Sequence, residues 1–149
     1  MNRTIVGVTV AILGWAAAAT PAQDPAPRLA KGMTFEGTYN RVELLPGQKA
    51  PHELNTDAKL TVTDVTGKAW EGDLWLLKGS LGMKVKGAVE PGGGVTLQFV
   101  KETQGKWRRD LIGKARGGGR VEGGKLNLKV LIPGENFEAV LRAERKEPK

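Results

Sequence analysis

The chain has 149 residues, a net charge of +7 and no cysteine. A chain of this length forms one domain by default, and without cysteine it has neither disulfide bonds nor thiolates for metal binding or nucleophilic catalysis. Its fold must therefore be stabilised by side-chain packing alone.

Residues 1–22 are typical of a secretory signal peptide. Arg3 gives a positive start, residues 4–19 are apolar, and small residues lead to a cleavage site after Ala22, with Ala19 as a close alternative. Because a spanning helix needs roughly 20 apolar residues, this shorter run favours cleavage over anchoring. The sequence predicts a secreted or periplasmic protein with no transmembrane segment in the mature chain.

The mature chain alternates strands and turns and contains no amphipathic helix of useful length. After a flexible leader at 23–32, the β domain is predicted to span 33–145, followed by a charged tail at 146–149. We expect about eight strands, at 33–44, 58–65, 69–78, 81–90, 95–101, 107–116, 120–132 and 137–145.

Short connections favour pairing between neighbouring strands, and an open meander of this kind leaves two unpaired edges. The predicted fold class is therefore all-β, a single antiparallel meander closed into a small barrel.

Two glycine runs are predicted to be hairpin turns. Gly92–Gly94 and Gly117–Gly119 lie between apolar, strand-like segments, and residues 87–95 align with residues 113–121 as an internal repeat. Phosphate-binding glycine loops lead into helices, so this setting argues against such a loop.

Two local features leave alternatives open. In the strand at 69–78, either a bulge near Gly72 redirects the side chains, or Trp75 and Leu77 are exposed. The connection at 45–57 is long for a hairpin, which is typical of a lid or binding loop and also of a solvated crossing.

The opening Gly37-Thr38-Tyr39-Asn40 is similar to the Gly-x-aromatic start of the lipocalin and avidin group. The strand, turn and strand from Ala58 to Trp75 keep the same spacing, so the mature chain resembles a calycin-type up-and-down barrel. Tyr39 stands where lipocalins usually carry tryptophan. The resemblance implies a barrel architecture and binding of a ligand.

The barrel interior is the first candidate site. Tyr39, Trp70, Trp107 and Arg109 share inward parity, and they predict a site for a small apolar ligand with an arginine for an acidic group. The alternative is a structural one, in which these side chains simply fill the barrel. Parity leaves open whether the interior is filled or hollow.

A basic outer face is the second candidate site. Residues 106–129 hold eight basic and two acidic residues. The pattern predicts a stripe on two adjacent strands that attracts an anionic surface or polysaccharide, or else a solvated face that only aids solubility. Without interleaved aromatics, no specific nucleic-acid binding is expected. The stripe consists of Lys106, Arg108, Lys114, Arg116, Lys125 and Lys129.

Catalytic chemistry is poorly represented in the chain. His52 is the single histidine and lies in a proline-rich segment, with no serine in a nucleophile motif. We therefore expect no catalytic residues, no metal site and no cofactor. The leading hypothesis is an exported, non-enzymatic barrel that binds a small ligand or partner, and the alternative is a polyanion or envelope-surface module.

Overall fold

The computed structural model describes residues 29–107 and 111–149, so the predicted signal peptide, most of the leader and residues 108–110 lie outside the described residues. The described chain is built from β-strands and turns. The strands are β1 (Thr34–Glu43), β2 (His52–Thr66), β3 (Ala69–Leu76), β4 (Leu81–Ala88), β5 (Gly94–Gln104), β6 (Arg116–Glu122), β7 (Lys125–Leu131) and β8 (Phe137–Lys146).

Each strand pairs antiparallel with the next, and β8 pairs back with β1, so the sheet closes into a barrel. The closing seam is a continuous ladder in which Thr34 lies opposite Lys146 and Glu43 opposite Phe137. Closure removes the two edges that an open meander would expose. The predicted fold class, an all-β antiparallel meander closed into a small barrel, is confirmed.

The core follows from two-residue periodicity along the strands. In β7, Leu126, Leu128 and Val130 are buried while the residues between them are exposed. Successive side chains of a strand point to opposite faces, so one face of every strand lines the interior. The largest fully buried side chains are Trp70, Tyr39, Phe35, Leu60, Leu74, Leu76, Met83, Leu97, Leu111, Leu126, Leu128 and Leu141.

The barrel has two different ends. We call the end that carries the loops 44–51, 77–80, 105–115 and 132–136 the mouth. The opposite end, the base, carries the β2–β3, β4–β5 and β6–β7 turns. The chain enters β1 at the base, where the Gly32 N–H donates to the Val62 carbonyl at 2.8 Å and Leu29 is buried.

The predicted turn at Gly117–Gly119 is wrong, because these glycines lie inside β6. The turn is instead at Gly123 and Gly124, whose φ values of 55° and 75° suit a tight hairpin. A Cβ on Gly119 would collide with the Asn127 carbonyl oxygen of β7. The glycine run therefore allows β6 and β7 to lie close together, and it does not form the turn.

The predicted strand at 107–116 is also wrong. The described part of 105–115 is a loop at the mouth, with one helical turn in which the Ala115 N–H donates to the Leu111 carbonyl at 3.0 Å. The turn predicted around Gly92 is present, with Val89 bridged to Val95. The repeat in the sequence therefore corresponds to one hairpin and one unrelated segment.

The sequence left open whether the third strand has a bulge near Gly72 or exposes Trp75 and Leu77, and the pairing of β3 with β2 gives the answer. β3 alternates strictly, while the bulge lies in β2, where the register shifts between Val62 and Asp64. Trp75 consequently points outward and packs half-buried against Gly82, and Leu77 is 37% exposed. β2 begins at His52, so the loop predicted at 45–57 is the shorter connection 44–51.

Candidate functional site

A group of polar side chains projects from β1 into the mouth half of the barrel. The inward alternation of Phe35 and Tyr39 continues to Arg41 and Glu43, while Val42 between them is exposed. Glu43 is 5% exposed, although it is charged. β1 therefore supplies a phenol, a guanidinium and a carboxylate to a predominantly apolar interior.

Tyr39 is the most buried member of this group. It is 1% exposed, and its hydroxyl has no hydrogen-bond partner. Burial raises the pKa of Tyr39 to about 12, and the positive charge of Arg41 offsets part of that rise. The hydroxyl therefore remains protonated at neutral pH and is available to donate one hydrogen bond and accept others.

Arg41 and Glu43 form an ion pair near the mouth. The Arg41 Nε lies 4.0 Å from the Glu43 Oε2, and the side chains are 27% and 7% exposed. The separation is longer than a hydrogen bond, and the buried Nε makes none. The guanidinium therefore retains an unused donor inside the barrel.

Glu102 is brought inward by irregularities in β5. The β4–β5 register skips Val100 and Thr103, which places Glu102 opposite the fully buried Met83. Directly paired residues share a face, so the carboxylate points into the barrel, where Oε1 is buried without a hydrogen-bond partner. β5 is four strands from β1 in either direction around the barrel, so Glu102 and Tyr39 belong to opposite walls.

Trp107 extends the site from the mouth loop. It is 9% exposed, its ring centroid lies 5.9 Å from that of Phe99, and the planes are inclined by 43°. The indole Nε1 is buried and has no hydrogen-bond partner. Leu111 and Ala115 of the same loop are fully buried, so the described part of this loop belongs to the core at the mouth.

The four residues predicted for the interior do not form one cluster. Tyr39 and Trp107 lie toward the mouth, whereas Trp70 is opposite Gly87 near the base and donates from Nε1 to the Thr96 carbonyl at 3.1 Å. The indole N–H of Trp70 therefore has its hydrogen-bond partner, and the residue has a structural role. Arg109 lies outside the described residues.

Arg41, Glu43 and Glu102 were not predicted as site residues. The continued alternation along β1 was a usable signal for the first two. No local pattern reveals Glu102, because its inward direction depends on two bulges.

The predicted basic stripe is divided in the structure. Lys106 and Lys114 are in the mouth loop rather than on strands, and Arg116 is beside them at the start of β6. Lys125 is at the base and lies 3.7 Å from Glu144, and Lys129 lies 2.9 Å from Glu138. Arg108 lies outside the described residues. Unpaired positive charge from the stripe therefore remains at the mouth.

Groups suited to catalysis or metal binding are sparse in the part of the chain that the structure describes. His52 is exposed at the start of β2 and is hydrogen-bonded to Gln48 at 3.1 Å. Residues 29–107 and 111–149 contain no group of three or more histidine, aspartate or glutamate side chains able to hold a metal ion. The same ranges include no helix of the length and hydrophobicity needed to cross a membrane.

Comparison with known proteins adds similarity to solved structures but not to a family or a curated protein. No protein-family model matches the chain, and no curated protein matches it either. A solved structure described as "Crystal Structure of Surface Lipoprotein" superposes with a TM-score of 0.49 and 15% identity. The match covers 83% of this chain and 66%, just under two thirds, of that one.

Proposed function

We propose that the protein is an exported, non-enzymatic barrel that binds a small ligand in the mouth half of its interior. One observation carries the proposal: the buried Tyr39 hydroxyl, Arg41 Nε, Glu102 Oε1 and Trp107 Nε1 have no hydrogen-bond partners. A buried polar group left unpaired costs about 1–3 kcal/mol, so proteins keep few of them without a functional reason.

The chemistry of these groups indicates the class of ligand. The groups are two donors, one carboxylate acceptor and one hydroxyl that can do both. Apolar side chains lie beside them, since Phe99 contacts Trp107 and Met83 is opposite Glu102. A small amphipathic molecule would satisfy the polar atoms and contact the apolar wall. Buried water is the alternative occupant, because it also satisfies such groups.

Binding without catalysis is proposed because the histidine is exposed and is not among the interior polar groups. We also propose that the barrel is related in fold to the lipocalin and avidin group. This relation is supported by the closed meander and by Tyr39, which is buried in the interior after Gly37.

The binding proposal is tested with 8-anilinonaphthalene-1-sulfonate, an amphipathic fluorescent anion. We expect saturable binding of one probe per chain, weakened about fivefold or more by Tyr39→Phe through loss of one hydrogen bond. Trp107→Leu should weaken it as well. Thr38→Ala, on the outer surface of the same strand as Tyr39, is the control and should leave the affinity unchanged. Absence of saturable binding, or equal affinity in all four proteins, would show that water alone occupies the site.

A second function, attachment to an anionic surface or polysaccharide, is proposed for the mouth. It is supported by exposed Lys106, Lys114 and Arg116, none of which is ion-paired with a described carboxylate. Reversing Lys106 and Lys114 should shorten retention on immobilised heparin more than reversing Lys125 and Lys129, whose charges are already paired on β8. Equal retention of the two double variants would show that the mouth is not the site of attachment to anionic surfaces or polysaccharides.

A further inference from the structure

The exposed aliphatic side chains of the barrel are concentrated at one end. Among the described residues, the exposed large hydrophobics are Val42, Leu44, Leu77, Val100 and Leu131, at 37–44% exposure. Val42 and Leu131 lie at the mouth ends of β1 and β7, Leu44 and Leu77 are in mouth loops, and Val100 lies past the middle of β5. We call Val42, Leu44, Leu77 and Leu131 the apolar rim.

Part of the apolar rim forms a continuous surface. Val42 and Leu131 flank Glu138, their shared cross-strand neighbour on β8, and with Leu44 and Pro51 they line an open cleft of about 500 Å³. Exposed hydrophobic residues scattered singly need no explanation, but a cluster at one end marks a surface of interaction. Leu77 lies across the barrel, between β3 and β4, so the rim extends around the mouth.

Positive charge is interspersed with the apolar rim. Lys49, Lys78, Lys106, Lys114 and Arg116 are exposed at the mouth and form no ion pair with a described carboxylate. Among the described residues, the exposed carboxylates near the same loops are Glu53, Asp57 and Glu135, so the five cations exceed these anions by two. Aliphatic side chains next to lysines match the chemistry of an anionic lipid surface.

The turn between β3 and β4 holds two of these residues in a strained backbone conformation. Leu77 and Lys78 have φ values of 52° and 51°, a left-handed region that residues with a Cβ adopt at a cost. The Leu77 N–H donates to the Thr56 hydroxyl at 3.3 Å, and the Lys78 N–H donates to the Asp57 carboxylate at 2.9 Å. Leucine and lysine thus occupy turn positions at which glycine would have no backbone strain. This indicates a role for their exposed side chains.

Trp75 lies just below this turn on the outer surface. Its half-buried indole shares an open cleft with Asp57 and Lys78. Tryptophan is enriched at the level of lipid headgroups, because its ring is apolar and its N–H is polar. The mouth therefore carries aliphatic, cationic and aromatic groups of the kinds that contact a bilayer interface.

We infer that the mouth of the barrel docks onto an anionic lipid surface, with the apolar rim inserted among the headgroups and the mouth lysines on the phosphates. The inference rests on the second proposed function and specifies its partner. A protein partner covers one continuous patch, whereas a bilayer is a plane that touches all loops at one end of a barrel together. Because the apolar rim has residues on both sides of the mouth, a bilayer is favoured over a protein partner.

The first experiment measures co-sedimentation with vesicles of phosphatidylglycerol and phosphatidylcholine, and with phosphatidylcholine alone. We expect binding only to the anionic vesicles. Lys49→Glu with Lys78→Glu should weaken it by about fivefold per lysine or more, given the usual contribution of a cation near an anionic surface. Lys31→Glu with Lys68→Glu, an equal charge change at the base, is the matched control and should weaken binding much less.

The second experiment separates lipid from other polyanions. Leu44→Ser with Leu131→Ser leaves every charge in place and should reduce vesicle binding about tenfold while retention on heparin stays unchanged. Unchanged melting temperatures would show that the variants are folded.

Three results would overturn the inference. They are absence of binding to anionic vesicles, an equal effect of the base control, and vesicle binding by the serine variant equal to that of the wild type. If heparin retention persisted in any of these cases, the second proposed function would survive without lipid as its partner.

Discussion

Tyr39 combines burial, an unpaired hydroxyl and an elevated pKa at one position. It is also the chain's single tyrosine, so its ionisation has a spectroscopic signal of its own. In the folded barrel the phenol stays protonated to about pH 12, because burial disfavours the phenolate. Arg41 is the nearby charge that limits this shift.

The first prediction concerns stability at high pH. The unfolded chain loses the Tyr39 proton near pH 10 and the folded chain near pH 12, so stability is unaffected below pH 10 and falls as pH rises between these values. We expect a loss of about 1 kcal/mol by pH 11 beyond that of Tyr39→Phe. Urea unfolding of both proteins near pH 9 and pH 11 measures the difference.

Tyrosinate absorbance provides the independent check on this prediction. It should rise with a midpoint near pH 12 in the folded protein and near pH 10 in urea. A midpoint of 10 under both conditions would mean that the phenol is solvated.

Among the elements, β6 shows how neighbouring glycines can have different roles. A Cβ on Gly119 would collide with the Asn127 carbonyl of β7, whereas a Cβ on Gly118 would meet nothing within 4 Å. The two positions differ by one residue and therefore by the face of the sheet that each presents.

The second prediction uses this pair as its own control. Gly119→Ala should destabilise the barrel by about 2–3 kcal/mol, because β6 and β7 must separate to admit the methyl group. Gly118→Ala should be neutral or stabilising by about 0.5 kcal/mol, since alanine reduces the entropy of the unfolded chain. Chemical denaturation measures both, and similar values for the two variants would contradict the placement of the run inside a strand.

The third prediction concerns the β3–β4 turn. Lys78→Gly relieves the left-handed conformation and should stabilise the protein by about 1 kcal/mol, while vesicle binding falls. Asp57→Ala removes the acceptor of the Lys78 N–H and should destabilise it by about 1 kcal/mol. A glycine variant that is less stable than the wild type would show that the turn carries no strain.

At the scale of the whole molecule, closure determines which amide groups are protected. β1 and β8 are the first and last strands of the described chain, yet they pair through ten residue pairs from Thr34–Lys146 to Glu43–Phe137. In an open meander these strands would have exposed edges and would exchange rapidly.

The fourth prediction is that β1 and β8 are as protected as an internal strand. Amide hydrogen exchange followed by NMR should give protection within tenfold for paired residues of β1, β3 and β8. Rapid exchange confined to β1 and β8 would indicate an open seam in solution.

The sequence was sufficient for the architecture because burial along a strand follows a period of two that neighbouring residues already show. Trp70 and Tyr39 were therefore predicted inward correctly. Gly117–Gly119 was predicted wrongly, because a glycine run suits both a turn and a close strand contact. The deciding contact, with Asn127, is made by another strand.

The candidate site was less accessible to prediction. Glu102 faces inward only because β5 bulges at Val100 and Thr103 against β4, and this register is a property of the paired strands. Arg41 and Glu43 continue the inward alternation of β1 but are charged, and hydrophobic patterning does not place charged residues in a core. Polar groups in the interior are therefore the part of the site that sequence periodicity misses.

The described chain begins and ends side by side at the base, where Gly32 and Thr34 share a cleft with Lys146–Lys149. A sensor surface or fluorophore coupled through the C-terminal residues would therefore leave the mouth facing the solution, because the coupling point and the mouth are at opposite ends. Joining residue 149 to residue 29 by a short linker and reopening the chain within 44–51 would transfer both termini to the mouth. One barrel thus offers two immobilisation geometries, with the opening presented outward in one and turned toward the support in the other.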